Sequence, residues 1–138
     1  MTKHKTYLGL GSNLGDRQGN ISRAYAEIEK LIGAIVRQSA LYESEPWGFE
    51  SDNSFINSVI CCETTLSPRE VLKKAQSIEW ELGRTQKSVD GHYHDRTIDI
   101  DILLYDDLTV NEPDLKIPHP LMRQRDFVMK PLSEIIDK

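Results

Sequence analysis

Cysteine is scarce. The 138 residues contain two, Cys61 and Cys62, side by side. No CxxC pair exists, which excludes a zinc ribbon and a thioredoxin-type motif. Adjacent residues of a strand point to opposite faces, so the pair reads as two small buried hydrophobes. Basic excess is also lacking. Lys and Arg total 17 against 22 Asp and Glu, a net charge of −5, so no nucleic-acid partner is expected. No apolar run approaches the ~20 residues that span a bilayer. The basic start Met1-Thr2-Lys3-His4-Lys5-Thr6 leads into too short an apolar run for a signal peptide. A cytoplasmic protein without a membrane partner is expected. No period of 20–50 residues repeats, and no linker breaks the chain, so residues 1–138 read as one domain. A GxGxxG loop fails because Leu14 stands where the third glycine belongs, and no GK[ST] follows. Gly9 to Gly15 therefore reads, on its spacing, as a tight strand-to-helix turn.

What is present is an alternation of element types. Thr6–Leu10 reads as a strand, with a loop from Gly11 to Asp16. Ile21, Ala24, Tyr25, Ile28, Leu31 and Ile32 recur at helical spacing, and Gly33 is placed to end that helix. Ala34–Glu43 and Phe55–Thr64 read as strands. Ser67-Pro68-Arg69-Glu70 is a capping box with proline at the first helical position, and Val71, Ala75, Ile78 and Leu82 form the buried stripe behind it. Arg84–Arg96 is polar and aperiodic, a loop long enough to be functional. Thr97–Tyr105 alternates as a strand, Asp106-Asp107 reads as a turn into Leu108–Val110, and Pro113, Pro118 and Pro120 predict an irregular stretch. Leu121–Ile136 reads as a helical tail interrupted near Pro131. The fold class is α+β: a ferredoxin-like βαββαβ core, its antiparallel sheet flanked by helices on both faces, with an extra C-terminal hairpin and helical tail.

The sharpest chemistry lies in Thr97-Ile98-Asp99-Ile100-Asp101-Ile102-Leu103-Leu104. A strand there turns Ile98, Ile100, Ile102 and Leu104 to one side. Asp99 and Asp101 turn to the other, about 7 Å apart. Two carboxylates so placed suit a hard cation such as Mg²⁺, which takes one or two carboxylates plus phosphate oxygens; an ordinary wet strand face fits the same pattern. Arg84 and Arg96 bracket the preceding loop and offer planar donors to a polyphosphate, or are solvated surface arginines. His92 and His94, with Asp95, form a weak metal-chelating pattern. His119 stands between two prolines, which stiffen it for ligand contact or for packing. Phe55 and Asn57 share one strand face and suit a flat heterocycle by stacking and amide pairing; Phe55 fits a core position equally.

Taken together, these residues resemble the 6-hydroxymethyl-7,8-dihydropterin pyrophosphokinase family. The likeness runs from Tyr7-Leu8-Gly9-Leu10-Gly11-Ser12-Asn13-Leu14-Gly15 to Phe127 and Pro131-Leu132. Its strongest part is Asp95-Arg96-Thr97-Ile98-Asp99-Ile100-Asp101-Ile102-Leu103. Phe55-Ile56-Asn57, Gln76-Ser77-Ile78-Glu79, Gly83-Arg84 and Pro118-His119-Pro120 follow the family order. The resemblance implies transfer of the β,γ-diphosphate of ATP to the pterin hydroxymethyl group, releasing AMP, in folate biosynthesis. It implies two Mg²⁺ ions on Asp99 and Asp101, with ATP as co-substrate. Gln76, Glu79, Arg84, Arg96, Ile102, His119 and Arg125 would line the ATP site, with Arg84 and Arg96 also catalytic. Asn57 would bond the pterin, Phe55 and Phe127 would stack on it, and Ser44, Glu45 and Trp47 would border its pocket. A monomer is expected. The family often carries a Trp-Gly-Pro-Arg run before its signature; here Tyr93 or His94 takes the place of the Trp, and Gln86 stands where a second loop arginine is common. Two other readings compete: a metal-dependent hydrolase using His92, His94 and Asp99, and a non-catalytic ferredoxin-like binding module.

Overall fold

The computed structural model describes residues 2–45, 53–83 and 97–136. Seven strands and three α-helices are found among them. Strand β1 is His4–Ser12, helix α1 Arg17–Leu31, β2 Ala34–Gln38, β3 Tyr42–Ser44 and β4 Phe55–Thr64. Helix α2 is Pro68–Gly83, β5 Asp99–Tyr105, β6 Val110–Glu112, β7 Leu115–Ile117 and α3 Asp126–Ile135. A 3-10 turn, Met122–Gln124, precedes α3.

The main sheet is antiparallel, in the order β2-β4-β1-β5, with β3 also pairing β4. This is the expected βαββαβ order, with β4 and β1 at the centre. One face packs against α1 and α2, through Leu8, Leu10, Ile60, Ile100 and Ile102 against Ile21, Ile28, Val71 and Ile78. The other packs against α3, through Tyr7, Val59, Cys61 and Leu103 against Val128, Leu132 and Ile135. Period-two alternation divides the side chains between these layers. Cys61 and Cys62 fall on opposite faces as expected, both buried. Burial, first of all, pushes the Cys62 thiol up to about 12, which keeps it protonated and inert.

The helix signals act as read. Ser67 N–H donates to Glu70 Oε1 at 2.9 Å, and Glu70 N–H donates to Ser67 Oγ at 3.2 Å, the reciprocal pair of a capping box. Asp16 caps α1 by accepting the Gly19 N–H at 3.0 Å. Gly33 follows α1 for a second reason: a Cβ there would lie 1.9 Å from the Glu63 carbonyl oxygen.

Five readings need correction. The strand alternation breaks late in β5. Leu8 pairs Ile102 while Tyr7 pairs Leu104, so Leu103 is an extra residue. This bulge turns Leu104 to the α3 side and Tyr105 to the other. The second strand is divided, because Ser39 Oγ accepts the Val59 N–H at 3.0 Å and interrupts the ladder between β2 and β3. β1 continues past the expected end through Gly11 and Ser12, so Gly11 joins Gly9 in the strand rather than opening a turn. Asp106-Asp107 is a turn as expected, with Leu108 N–H donating to Tyr105 O at 3.0 Å, but the hairpin forms between β6 and β7, turned by Pro113-Asp114; the predicted irregular stretch thus contains β7. Pro131 lies inside α3 without interrupting it and is buried, which offsets one missing helix hydrogen bond.

Candidate active site

The face of the sheet that carries α3 is only partly covered by it. Beyond α3 lies a cavity of about 340 Å³. Its lining includes Gly9 and Gly11 of β1, Phe55 and Asn57 of β4, Asp99 and Asp101 of β5, and Ser44 and Glu45 at the end of β3. His119 and Pro120, then Arg125 and Phe127 at the start of α3, complete it.

The floor exists because two positions have no side chain. Gly9 pairs Val59 on one side and Asp101 on the other; Gly11 pairs Asn57 and Asp99. Their inward Cα–H positions leave the carboxylates on one flank and the aromatic–amide pair on the other. A Cβ on Gly11 would meet Asn57 Oδ1 at 3.2 Å and Phe55 Cδ2 at 3.4 Å. On Gly9 its nearest neighbours would be Leu103 side-chain atoms, at the ordinary distance of 3.5 Å. These glycines were not recognised as site residues from the sequence. Their two-residue spacing inside a strand was the available signal.

On the amide flank, Asn57 is 4% exposed. Its Nδ2 donates to Tyr42 O at 3.1 Å and to Ser44 Oγ at 2.7 Å. That fixes the amide's orientation and turns Oδ1 toward Gly11. Phe55 is half-buried beside it, and Phe127 lies with its ring 5.7 Å from the Arg125 guanidinium carbon.

The carboxylate flank is electrostatically dense. Asp101 Oδ2 lies 3.7 Å from Arg125 Nη1 and 4.0 Å from His119 Nε2. His119 Nδ1 accepts the Leu121 N–H at 3.2 Å, so in the neutral ring Nε2 carries the proton and faces Asp101. Burial, then the Arg125 charge, holds the His119 pKa below its ordinary value, against a smaller opposing effect of Asp99. The His119 backbone N–H is tied to Leu103 O at 3.0 Å, which sets the ring against β5.

Glu79 reaches this flank from α2. Its Oε2 accepts the Ile100 N–H at 2.7 Å. Burial first, then the Asp99 charge, pushes its pKa up to about 8. Glu79 therefore enters neutral solution largely protonated and hydrogen-bonded to Asp99. Among the described residues, no three His, Cys, Asp or Glu side chains converge as a metal cage. Two strand carboxylates with open space before them are instead a donor set for a cation that completes its shell with phosphate oxygens.

The sequence-expected residues thus divide into three groups. Asp99, Asp101, His119, Arg125, Ser44, Glu45, Phe55, Asn57 and Phe127 line one cavity. Glu79 adjoins it, while Gln76 is exposed on α2 and the Ile102 side chain is buried under the opposite face of the sheet; Ile102 offers the cavity side only backbone. Trp47, Arg84, Arg96, Gln86, Tyr93, and the His92–His94–Asp95 cluster on which a hydrolase would depend, lie outside the described residues.

Residues 7–137 match the 7,8-dihydro-6-hydroxymethylpterin-pyrophosphokinase (HPPK) family. The chain belongs to that family. It is 52% identical over 130 residues to a 2-amino-4-hydroxy-6-hydroxymethyldihydropteridine pyrophosphokinase of Porphyromonas gingivalis, covering 94% of this chain and 88% of the relative. It is 45% identical over 129 residues to the enzyme of the same name from Aquifex aeolicus, covering 94% and 78%. A solved structure described as HPPK-DHPS in complex with substrates superposes with a TM-score of 0.77 over 98% of this chain. At 14% identity that likeness speaks for the fold, and this chain spans 40% of that larger one. Membership makes the chain a pyrophosphokinase of folate biosynthesis with ATP as co-substrate. In this HPPK-family enzyme no helix among the described residues is long and apolar enough to cross a membrane.

Proposed function

We propose that this enzyme transfers the β,γ-diphosphate of ATP to the hydroxymethyl group of 6-hydroxymethyl-7,8-dihydropterin, releasing AMP, with both substrates held in the cavity over β1. The observation that carries this reading is the division of one cavity into a carboxylate flank and an aromatic–amide flank by two side-chain-free positions, Gly9 and Gly11. The pterin stacks between Phe55 and Phe127, and Asn57 reads its amide edge. Ser44 and Glu45 border it.

The triphosphate lies across β5. Asp99 and Asp101 fit two Mg²⁺ ions, which when bound supply charge neutralisation and orientation of the phosphate oxygens. Arg125 and the Nε2–H of His119 sit beside Asp101 and donate to phosphate oxygens on that side. Glu79, hydrogen-bonded to Asp99 and to the Ile100 N–H, holds the Asp99 carboxylate in place. Gln76, Ile102, Arg84 and Arg96 belong to the same ATP site on the resemblance described above, and Trp47 to the pterin side. Phosphoryl transfer asks the protein for in-line positioning more than for covalent chemistry. The floor glycines serve it by letting the pterin hydroxymethyl group approach the backbone. The chain acts as a monomer in the cytoplasm.

The proposal is tested by titrating a non-hydrolysable ATP analogue and the pterin into the protein, with and without Mg²⁺. Nucleotide affinity that depends on Mg²⁺, and is lost in the Asp99→Asn/Asp101→Asn double variant while pterin still binds, is the expected result. Mg²⁺-independent nucleotide binding in both proteins would overturn the assignment of the carboxylate flank.

A further inference from the structure

Behind the aromatic–amide flank, on the outer side of the sheet edge, three side chains form a clasp that the chemistry above does not use. Arg17, the first residue of α1, donates from Nη1 to the Ser54 carbonyl oxygen at 3.0 Å and to Ser54 Oγ at 3.0 Å. The same nitrogen lies 3.3 Å from Glu43 Oε2. Ser54 Oγ in turn donates to Glu43 Oε2 at 2.7 Å. These hydrogen bonds, followed by the Arg17 charge, hold the Glu43 carboxyl below its usual range.

The sequence positions matter. Glu43 precedes Ser44, and Ser54 precedes Phe55. Ser44 and Phe55 are direct partners across β3 and β4, and Tyr42 is the partner of Asn57. The clasp therefore grips both strands one residue before the side chains that line the cavity. β3 has only three residues, too few ladder bonds to fix its own position firmly against β4. Asn57 depends on that position, because both acceptors of its Nδ2, Tyr42 O and Ser44 Oγ, belong to β3. A further bond, Asn13 Nδ2 to Asn53 O at 3.2 Å, ties the same β1–α1 connection to the start of β4.

We infer that Arg17 is a positioning residue for the pterin subsite: it locks β3 against β4 and thereby fixes the orientation of the Asn57 amide and the Phe55 ring. This rests on the reading of Phe55 and Asn57 as pterin contacts. Arg17 itself touches neither the cavity lining nor the carboxylate flank, so its effect falls on one substrate only.

The test compares Arg17→Ala and Arg17→Lys with the parent enzyme in full kinetics and in amide hydrogen exchange. Arg17→Ala raises KM for the pterin by about three- to ten-fold, the size expected when one or two ordering hydrogen bonds are lost. KM for ATP stays within about two-fold, and exchange quickens at Tyr42–Ser44 and Phe55–Asn57. Arg17→Lys, which keeps one donor group, recovers part of the loss. Equal changes in both KM values, or no change in the pterin KM with exchange unaltered, would overturn the inference. Should Arg17→Ala not fold, Glu43→Gln carries the test, with a smaller shift in the same direction. An inactive parent enzyme would refute the pterin reading instead; the exchange comparison then still decides whether Arg17 orders β3.

Discussion

Substituting alanine for Gly11 separates the stability of this protein from its recognition of the pterin. The added methyl group projects into the cavity floor, 3.2 Å from Asn57 Oδ1 and 3.4 Å from Phe55 Cδ2. Neither distance is a hard clash, so neighbouring side chains yield by a few tenths of an ångström. Stability changes little. Replacing glycine within a strand removes about 0.5–1 kcal/mol of excess unfolded-state entropy, while tight packing returns a cost of about 1 kcal/mol or more. The net effect is expected within about 1 kcal/mol of zero. Recognition behaves differently, because the atoms that yield are those proposed to face the pterin. Displacing Asn57 strains its bonds to Tyr42 O and Ser44 Oγ. A misaligned buried amide loses about 1–3 kcal/mol of substrate interaction, or roughly five- to hundred-fold in kcat/KM for the pterin. Gly9→Ala is the control. Its methyl shares the cavity floor but meets Leu103 at the ordinary distance of 3.5 Å, so it tests loss of floor space without displacing the Asn57 amide. Steady-state kinetics and a thermal melt on both variants decide the matter. A Gly11→Ala enzyme with unchanged pterin kcat/KM, or one weakened only toward ATP, would refute the two-flank reading of the cavity.

Other perturbations have equally definite outcomes. Asp101→Ala removes the carboxylate that Arg125 and His119 face at 3.7 and 4.0 Å; turnover should fall by about a thousand-fold or more while the melting temperature stays near that of the parent. Glu79, with its folded pKa raised to about 8, binds a proton in the folded state that the unfolded state has already released. Stability therefore declines as pH rises from the ordinary carboxylate range toward about 8, and Glu79→Gln flattens that decline in urea titrations across pH 5–8; an unchanged slope contradicts the assignment. Gly33→Ala forces a Cβ to 1.9 Å from the Glu63 carbonyl oxygen. The α1–β2 connection must then part from β4, at a cost of about 3 kcal/mol or more, read as a large drop in melting temperature.

The residues that announced the fold are those whose chemistry repeats with a period. Ile98, Asp99, Ile100, Asp101 and Ile102 alternate, and the structure divides them between the two faces as that alternation requires. The capping box of α2 and the buried stripe Val71, Ala75, Ile78 are local features, and they are found as read. Reading failed where a single residue interrupts the period. Leu103 carries no composition signal for a bulge, and Ser39 gives none for a strand break, because both depend on register with a partner strand. The β6–β7 hairpin was missed because three prolines outweighed two short strands whose pairing is tertiary information.

The site was legible in the same uneven way. The Asp99–Asp101 pair and the Phe55–Asn57 pair each lie within one strand, so spacing alone put each on a face. Arg125, His119 and Phe127 approach them only through chain reversal, and no spacing foretells that Asp101 lies 3.7 Å from Arg125; family resemblance names Arg125 and Phe127, while the flanking prolines already single out His119. Gly9 lies in the expected strand, but Gly11 reads as loop in the sequence because glycine is a turn signal. Here the absence of a side chain in an extended strand opens the cavity floor.

On the function proposed, one cavity joins ATP and a pterin for diphosphate transfer. Incubation with Mg²⁺, ATP and 6-hydroxymethyl-7,8-dihydropterin, followed by separation of the nucleotides, tests it most directly. AMP formed only when the pterin is present, in amounts equal to the pterin diphosphate produced, is the predicted result. ADP as the product, or AMP release indifferent to the pterin, would contradict it.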